Sequence, residues 1–367
     1  MMMEILIIAV IIAATCAIPG VFLILRRMSL ISDAISHSVL FGIVIVFFLV
    51  KSLHSPLLIA GAVLTGILTV FLSEMLLKTR LLKEDASIGL VFPALFSIGV
   101  ILISMYAGNI HLDTDAVLMG EIALAPFDRF IIAGVDLGSV SAWLMGGIGI
   151  LNILFVAVFY KELKISTFDA GLAAALGFAP GLLHYALMIT VSITAVGAFD
   201  TVGSILVVAF MIAPGASAYL LTDRLWLMVV LSMAIGMISA VIGVLLAFAL
   251  DTSIAGTMAS VTGIIFMITF LFAPQYGIIA KIILQRERKW VFAAYMLAVH
   301  LYYHEDTELE SEESDISHLT GHLGWNQKYS LRVLATGQKE GIFTRENSRL
   351  ILTDLGRATA RSLMDRG

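Results

Sequence analysis

Runs of apolar residues, closed by charged or glycine-containing breaks, fill the first three quarters of the chain. Those long enough to cross about 30 Å of hydrocarbon, at about 1.5 Å per helical residue, lie near 4–25, 29–50, 56–77, 87–107, 138–160, 181–199, 202–221, 225–250 and 254–273. The pattern predicts about eight or nine transmembrane helices, the seventh being interrupted by APGAS at 213–217. Beyond residue 280 the pattern changes. KIILQRERKWVFAAYMLAVHLYY mixes apolar and charged positions as an amphipathic helix, and HEDTELESEESD after it reads as an acidic tether.

The last stretch reads as a helix, a turn at Gly324, a second helix capped by Asn326, two short strands joined at Asn347 and Ser348, and a final helix begun at Thr353 or Asp354. That order resembles a winged helix-turn-helix. The expected fold is therefore an all-α polytopic membrane protein carrying a small cytoplasmic winged helix-turn-helix domain. Three regions follow: a transmembrane domain over 1–280, a helix and acidic linker over 281–315, and the small domain over 316–367.

Composition agrees with the spans. With 60% hydrophobic and only 13% charged residues, and a mean hydropathy of +1.01, the chain lies outside the range of soluble globular domains. The N-terminal run lacks a basic leader and exceeds a signal peptide's apolar core, so it reads as a retained helix. Cys16, the single cysteine, can form no internal disulfide.

Loop charges orient the spans. Arg26, Arg27, Lys78, Arg80, Lys83, Lys161, Lys164, Arg224, Lys281, Arg286, Arg288 and Lys289 fall on one side, against Lys51 and Arg129 on the other. The positive-inside rule makes the basic side cytoplasmic, with the N-terminus outside and the C-terminus inside. The outward loops collect His54, His111, Asp113, Asp115, Glu121 and Asp128, candidates for an outer funnel that concentrates cations.

Within the second run stand Asp33 and His37, roughly 8 and 14 Å into the membrane at helical rise and on one helix face. An ionisable residue at that depth costs on the order of 3 kcal/mol and marks a functional site by default. A carboxylate and an imidazole one turn apart supply half the ligands of a first-row divalent metal site. The other reading is structural: Asp33 caps the helix or pairs with Arg26 or Arg27, and His37 donates to a neighbouring helix. A second copy across a two-fold axis would complete the metal site.

Between the fifth and sixth runs, Ser166, Thr167 or Asp169 can cap a short helix that Gly177 and Pro180 terminate. Its small residues and short arms suit docking into a partner's groove. No phosphate-binding G-x-x-x-x-G-K-[ST] loop occurs, so ATP-driven work would need an engine on another polypeptide.

In this order, GVFLILRRMSLISDAISHSVLFGIV, STFDAGLAAALGFAPGLLHY and VGSILVVAFMIAPGASAYLLTDRL resemble the permease subunits of the manganese, zinc and iron ABC importers, the ABC-3 family. The likeness covers about residues 4–275. It implies a bacterial inner-membrane permease, not itself an enzyme, paired with a second copy or a homologous permease. Its partners would be cytoplasmic ATPase subunits, an extracytoplasmic metal-binding protein and membrane lipid. The resemblance makes Asp33 and His37 the residues that line and gate the ion path, and places the ATPase-coupling helix around Phe168, Asp169 and Gly177. It implies no resident cofactor; manganese, zinc or iron is cargo. MGEIALAPFDR is only loosely similar to the family's outer loop, and GAFDTVGSIL carries Asp200 where an uncharged residue is usual. Asp200 is either a further funnel acid or a plain loop acid.

Two other functions remain open on the residues alone: an ion-gradient-driven metal carrier with Asp33 as proton site, and a membrane-anchored metal-responsive regulator. Lys328, Arg332, Lys339, Arg345, Arg349, Arg357, Arg361 and Arg366 permit DNA binding electrostatically, yet a membrane tether opposes a genomic search and DNA is not expected as a partner. His300 with His304, and His318 with His322, stand at helical i, i+4 spacing and raise the idea of a metal sensor; exposed helix histidines serving no metal are the plainer reading.

Overall fold

The computed structural model describes residues 1–51, 55, 57–106, 121–132, 135–316, 318 and 324–365. It divides into two compact units, Met1–Tyr276 and Gly277–Gly367.

Helices α1 (Met2–Leu25), α2 (Leu30–Val50), α3 (Leu57–Lys78) and α4 (Glu84–Tyr106) open the first unit. A 3-10 turn (Ala125–Phe127) then leads into a hairpin of β1 (Arg129–Ile132) and β2 (Val135–Ser139). Next come α5 (Val140–Val158), the short α6 (Tyr160–Phe168) and α7 (Ala170–Ala175), and the long α8 (Pro180–Leu221), α9 (Leu225–Leu250) and α10 (Ile254–Phe272). Among the described residues, eight helices are long and apolar enough to cross a membrane.

The core forms around α1, which packs against α5, α8 and α9. Small residues allow the close approach. A Cβ on Gly20 would collide with the Met211 carbonyl, and one on Gly66 with the Ser192 hydroxyl. Two buried polar side chains pair inside the bundle: Thr15 donates to the Met145 carbonyl at 3.2 Å and the Asn152 amide nitrogen donates to Thr194 Oγ1 at 2.9 Å. Unmet polar groups in hydrocarbon would be costly, which is why these pairs form.

The sixth and seventh apolar runs are both helical and meet inside α8 at Gly203, whose φ of 77° and ψ of 165° break the helix. Only glycine adopts that conformation without penalty. The chain also reverses there. Before the break, His184 lies at Arg26 (3.0 Å), and Thr194 joins Thr15 through Asn152, which also donates to the Thr15 carbonyl at 3.2 Å. After it, Met211 lies against Gly20, and Gly215 against Gly20 and Ile24. The first segment therefore runs away from the Arg26 end of α1 and the second returns toward it. Along α9, Ser232 donates to the Ala17 carbonyl and Gly236 abuts Ala13, so α9 leaves the Arg26 end again. Both ends of α8 and the start of α9 thus share one end of the bundle.

At the opposite end, Arg129 is held by Glu4 at 2.8 Å and Asp136 at 3.5 Å. The hairpin is tied down by Ser139 Oγ donating to the Ala125 carbonyl at 2.7 Å.

The second unit begins with α11 (Ile278–His304) and the one-turn α12 (Glu310–Glu313). It ends with α13 (Gln327–Lys339), the antiparallel pair β3 (Phe343–Glu346) and β4 (Arg349–Leu352), and α14 (Asp354–Met364). The expected punctuation is present: Gly324 has φ 63°, the Asn326 side chain accepts from Tyr329 N at 2.8 Å, Asn347 turns the hairpin with φ 54°, and Thr353 accepts from Gly356 N at 3.0 Å. The helix expected to start the small domain falls mostly outside the described residues.

The amphipathic segment is structural here. Ala294, Leu297, Ala298 and Leu301 of α11 share a core with Val333, Phe343, Leu350 and Ala360, and the acidic stretch forms turns and α12. Two arginines counted toward a basic surface are engaged within the unit. Arg357 pairs with Glu305 at 2.8 Å, which raises the guanidinium's pKa, and Arg361 donates to Tyr302 at 3.1 Å.

Candidate functional site

Helix α2 has two faces. Ser32, Ile35, Ser36 and Val39 are buried. Ser38, also buried, accepts from Thr69 of α3 at 2.7 Å. On the other face the side chains at Leu30, Asp33, His37, Phe41 and Ile45 form a stripe that is half-buried or exposed.

In that stripe, Nε2 of His37 stands 3.4 Å from Oδ1 of Asp33, with 33% and 39% of the two side chains accessible. The His37 ring is held from the α4 side by Phe92, stacked at 5.9 Å between centroids, and Phe96, edge-on at 6.3 Å. The arrangement gives one oxygen and one nitrogen donor a common direction, with aromatic walls limiting the imidazole's rotation. Two donors leave most of a metal's coordination sphere open.

The predicted short helix forms as α7. Asp169 is its N-cap, its side chain accepting from Leu172 N at 2.9 Å. Gly177, at φ 85°, ends it, with Gly177 N donating to Ala174 O and Phe178 N to Ala173 O, both at 3.0 Å. This paired closure fits glycine's tolerance of the left-handed region. Phe168, Leu172 and Leu176 are exposed, at 64%, 50% and 56%, so the motif presents apolar side chains outward on a tightly capped turn.

Of the funnel candidates, Glu121 and Asp200 are exposed. Asp200 lies within α8, three residues before the Gly203 break, where a loop was one expectation. His111, Asp113 and Asp115 lie outside the described residues.

A second ionisable cluster, which the sequence reading missed, sits at the Arg26 end. The Arg26 guanidinium donates to Thr167 Oγ1 at 3.2 Å and Ser166 Oγ at 3.3 Å, and lies 3.0 Å from Nδ1 of His184. His184 Nε2 contacts the Glu74 carboxylate, which also accepts from Tyr185 OH at 2.6 Å. Arg26 therefore pairs with no aspartate of α2; it joins α1 to the α6 segment and to α8. The signal was available: Glu74 and His184 are ionisable residues inside apolar runs, the criterion that singled out Asp33. At the same end Tyr276 OH donates to Asp223 at 2.8 Å, which raises the phenol's pKa.

A bundle of apolar helices packed around α1, with an ionisable pair on a half-exposed stripe of α2 and a capped apolar turn after α6, is the architecture of a polytopic membrane protein. The chain belongs to the ABC 3 transport family, whose profile matches residues 1–273. It is a multi-pass membrane permease subunit of a bacterial ABC transporter of metal ions.

Among similar proteins, the zinc transport system membrane protein TroD of Treponema pallidum is 48% identical over 365 residues, covering 100% of this chain and 99% of the relative. That similarity includes the C-terminal unit. The manganese transport system membrane protein MntD of Bacillus subtilis is 46% identical over 272 residues, 74% of this chain and 92% of the relative. Among solved structures, a chain of PsaBC from Streptococcus pneumoniae in complex with Fab superposes with a TM-score of 0.62 at 30% identity, covering 75% of this chain and 92% of that one.

Proposed function

We propose that this subunit pairs with a second copy or a homologous permease, and that Asp33 and His37 of each face a shared path for a bare divalent cation: zinc, manganese or iron. The observation that carries the reading is the Asp33–His37 pair, 3.4 Å apart on a stripe of α2 that the subunit's own helices leave half-exposed. Placing such donors toward lipid would be costly; a facing subunit gives them both water and further ligands. The relatives' names, zinc and manganese transport systems, agree with an oxygen–nitrogen donor set, which does not choose between those ions.

In this reading the N-terminus faces outward, the Arg26 end is cytoplasmic, and Phe168, Leu172 and Leu176 dock into the ATPase. A binding protein delivers the ion outside, where Glu121 and Asp200 attract it. Alternation of access follows from relative motion of the two subunits, driven by ATP in the partner. The permease makes and breaks no covalent bond.

The test is metal uptake in vesicles reconstituted with the ATPase and binding protein. Uptake that requires ATP, and survives deletion of residues 277–367, supports a permease with an independent transmembrane function. Uptake driven by a proton gradient without the ATPase would instead indicate a carrier with Asp33 as proton site, and loss of all transport dependence on the spans would indicate a regulator.

A further inference from the structure

Helix α11 ends at His304, and one turn earlier stands His300. Across from them the chain returns through α12, placing Oε2 of Glu313 at 3.1 Å from Nε2 of His300. The ligand atoms of His300, His304 and Glu313 all lie within 4.8 Å of one another. His318 reaches the same carboxylate, with Nδ1 3.6 Å from Glu313 and Nε2 3.4 Å from Glu312. All of these residues belong to the second unit.

We propose that His300, His304 and Glu313 form a binding site for a first-row divalent transition cation, with His318 as the fourth donor. The spacing is close to what an ion needs. Donors about 2.1 Å from a tetrahedral centre are about 3.4 Å apart, close to the 3.1 Å between His300 and Glu313 and inside the 4.8 Å that bounds the trio. The chemistry is selective, because imidazole nitrogens with a single carboxylate suit zinc, cobalt or iron and not calcium or magnesium, which require mostly oxygen.

Burial supplies a second argument. Glu313 is 8% exposed, and the imidazoles of His300 and His318 stand at its carboxylate, 3.1 and 3.6 Å away. A divalent ion held between these donors would place positive charge beside that buried carboxylate. Entry is open. A cleft of about 400 Å³, bordered by His304, Glu305, Glu313, Ser314 and Arg349, lies beside the donors. An occupied site would pin the end of α11 to the acidic segment.

The proposal does not rest on the transport pathway, and its test separates the two. Full-length protein in detergent is titrated with Co²⁺, read by the visible ligand-field absorption of nitrogen-bound cobalt and by bound metal per chain. His304→Gln is the primary variant because His304 stands outside the His300–Glu313 hydrogen bond; a thermal melt reports whether it is folded. The expected result is loss of one equivalent of Co²⁺, or at least a tenfold weaker affinity for it, in His304→Gln, while Asp33→Asn/His37→Gln retains that equivalent. Co²⁺ binding by His304→Gln equal to wild type in stoichiometry and affinity overturns the site. So does an Asp33→Asn/His37→Gln protein that binds no Co²⁺, an arm needing no change in the C-terminal unit.

Discussion

The guanidinium of Arg26 lies 3.0 Å from Nδ1 of His184. Arginine offers only donors, so Nδ1 accepts and the imidazole proton sits on Nε2, directed at Glu74. The same guanidinium holds Ser166 and Thr167 just ahead of the α7 cap, so one side chain ties the segment before the exposed turn to α1 and α8.

Replacing Arg26 by glutamine or lysine should uncouple that link. Lysine keeps the charge but not the planar fork that reaches three partners. Metal uptake in reconstituted vesicles should fall on the order of tenfold or more, while ATP hydrolysis by the assembled complex changes less than about threefold. Equal uptake in Arg26→Lys and wild type would show that charge alone suffices.

The exposed apolar turn gives a prediction of another kind. Phe168→Asp or Leu172→Asp adds a charge where an apolar groove would close over it, and desolvating that charge should cost several kcal/mol. Pull-down of the partner ATPase should fall at least tenfold, with membrane insertion unchanged. Undiminished capture of the ATPase by both variants would move the docking surface elsewhere.

Backbone geometry sets a third expectation. Gly203→Val forces a β-branched residue to φ 77°, at about 1–3 kcal/mol, and Gly20→Val drives a side chain into the Met211 carbonyl. Both should lower the melting temperature in detergent. Gly181→Ala, where an added Cβ meets nothing within 4 Å, should leave it unchanged.

Much of this was legible in the sequence because the signals are local. Apolar run length gave the spans, and the four-residue interval put Asp33 and His37 on one face. Asp169, Asn326 and Thr353 cap the helices their side chains suggested. What escaped was tertiary. Nothing adjacent to Glu74 announces His184, 110 positions on, whereas the break at Gly203 falls where the separate 181–199 and 202–221 runs meet. The acidic stretch reads as a solvated tether by composition, yet Glu313 is buried because α11 supplies an apolar wall and two imidazoles beside it.

The most direct test of the account is ATP-dependent uptake of radioactive manganese or zinc into vesicles holding the complete transporter, comparing wild type with Asp33→Asn and His37→Gln. Each variant loses one of the two donors proposed to meet the ion, so each should lose at least tenfold in uptake rate while inserting normally and retaining the ATPase. Wild-type uptake in both would contradict the claim that the α2 pair lines the path.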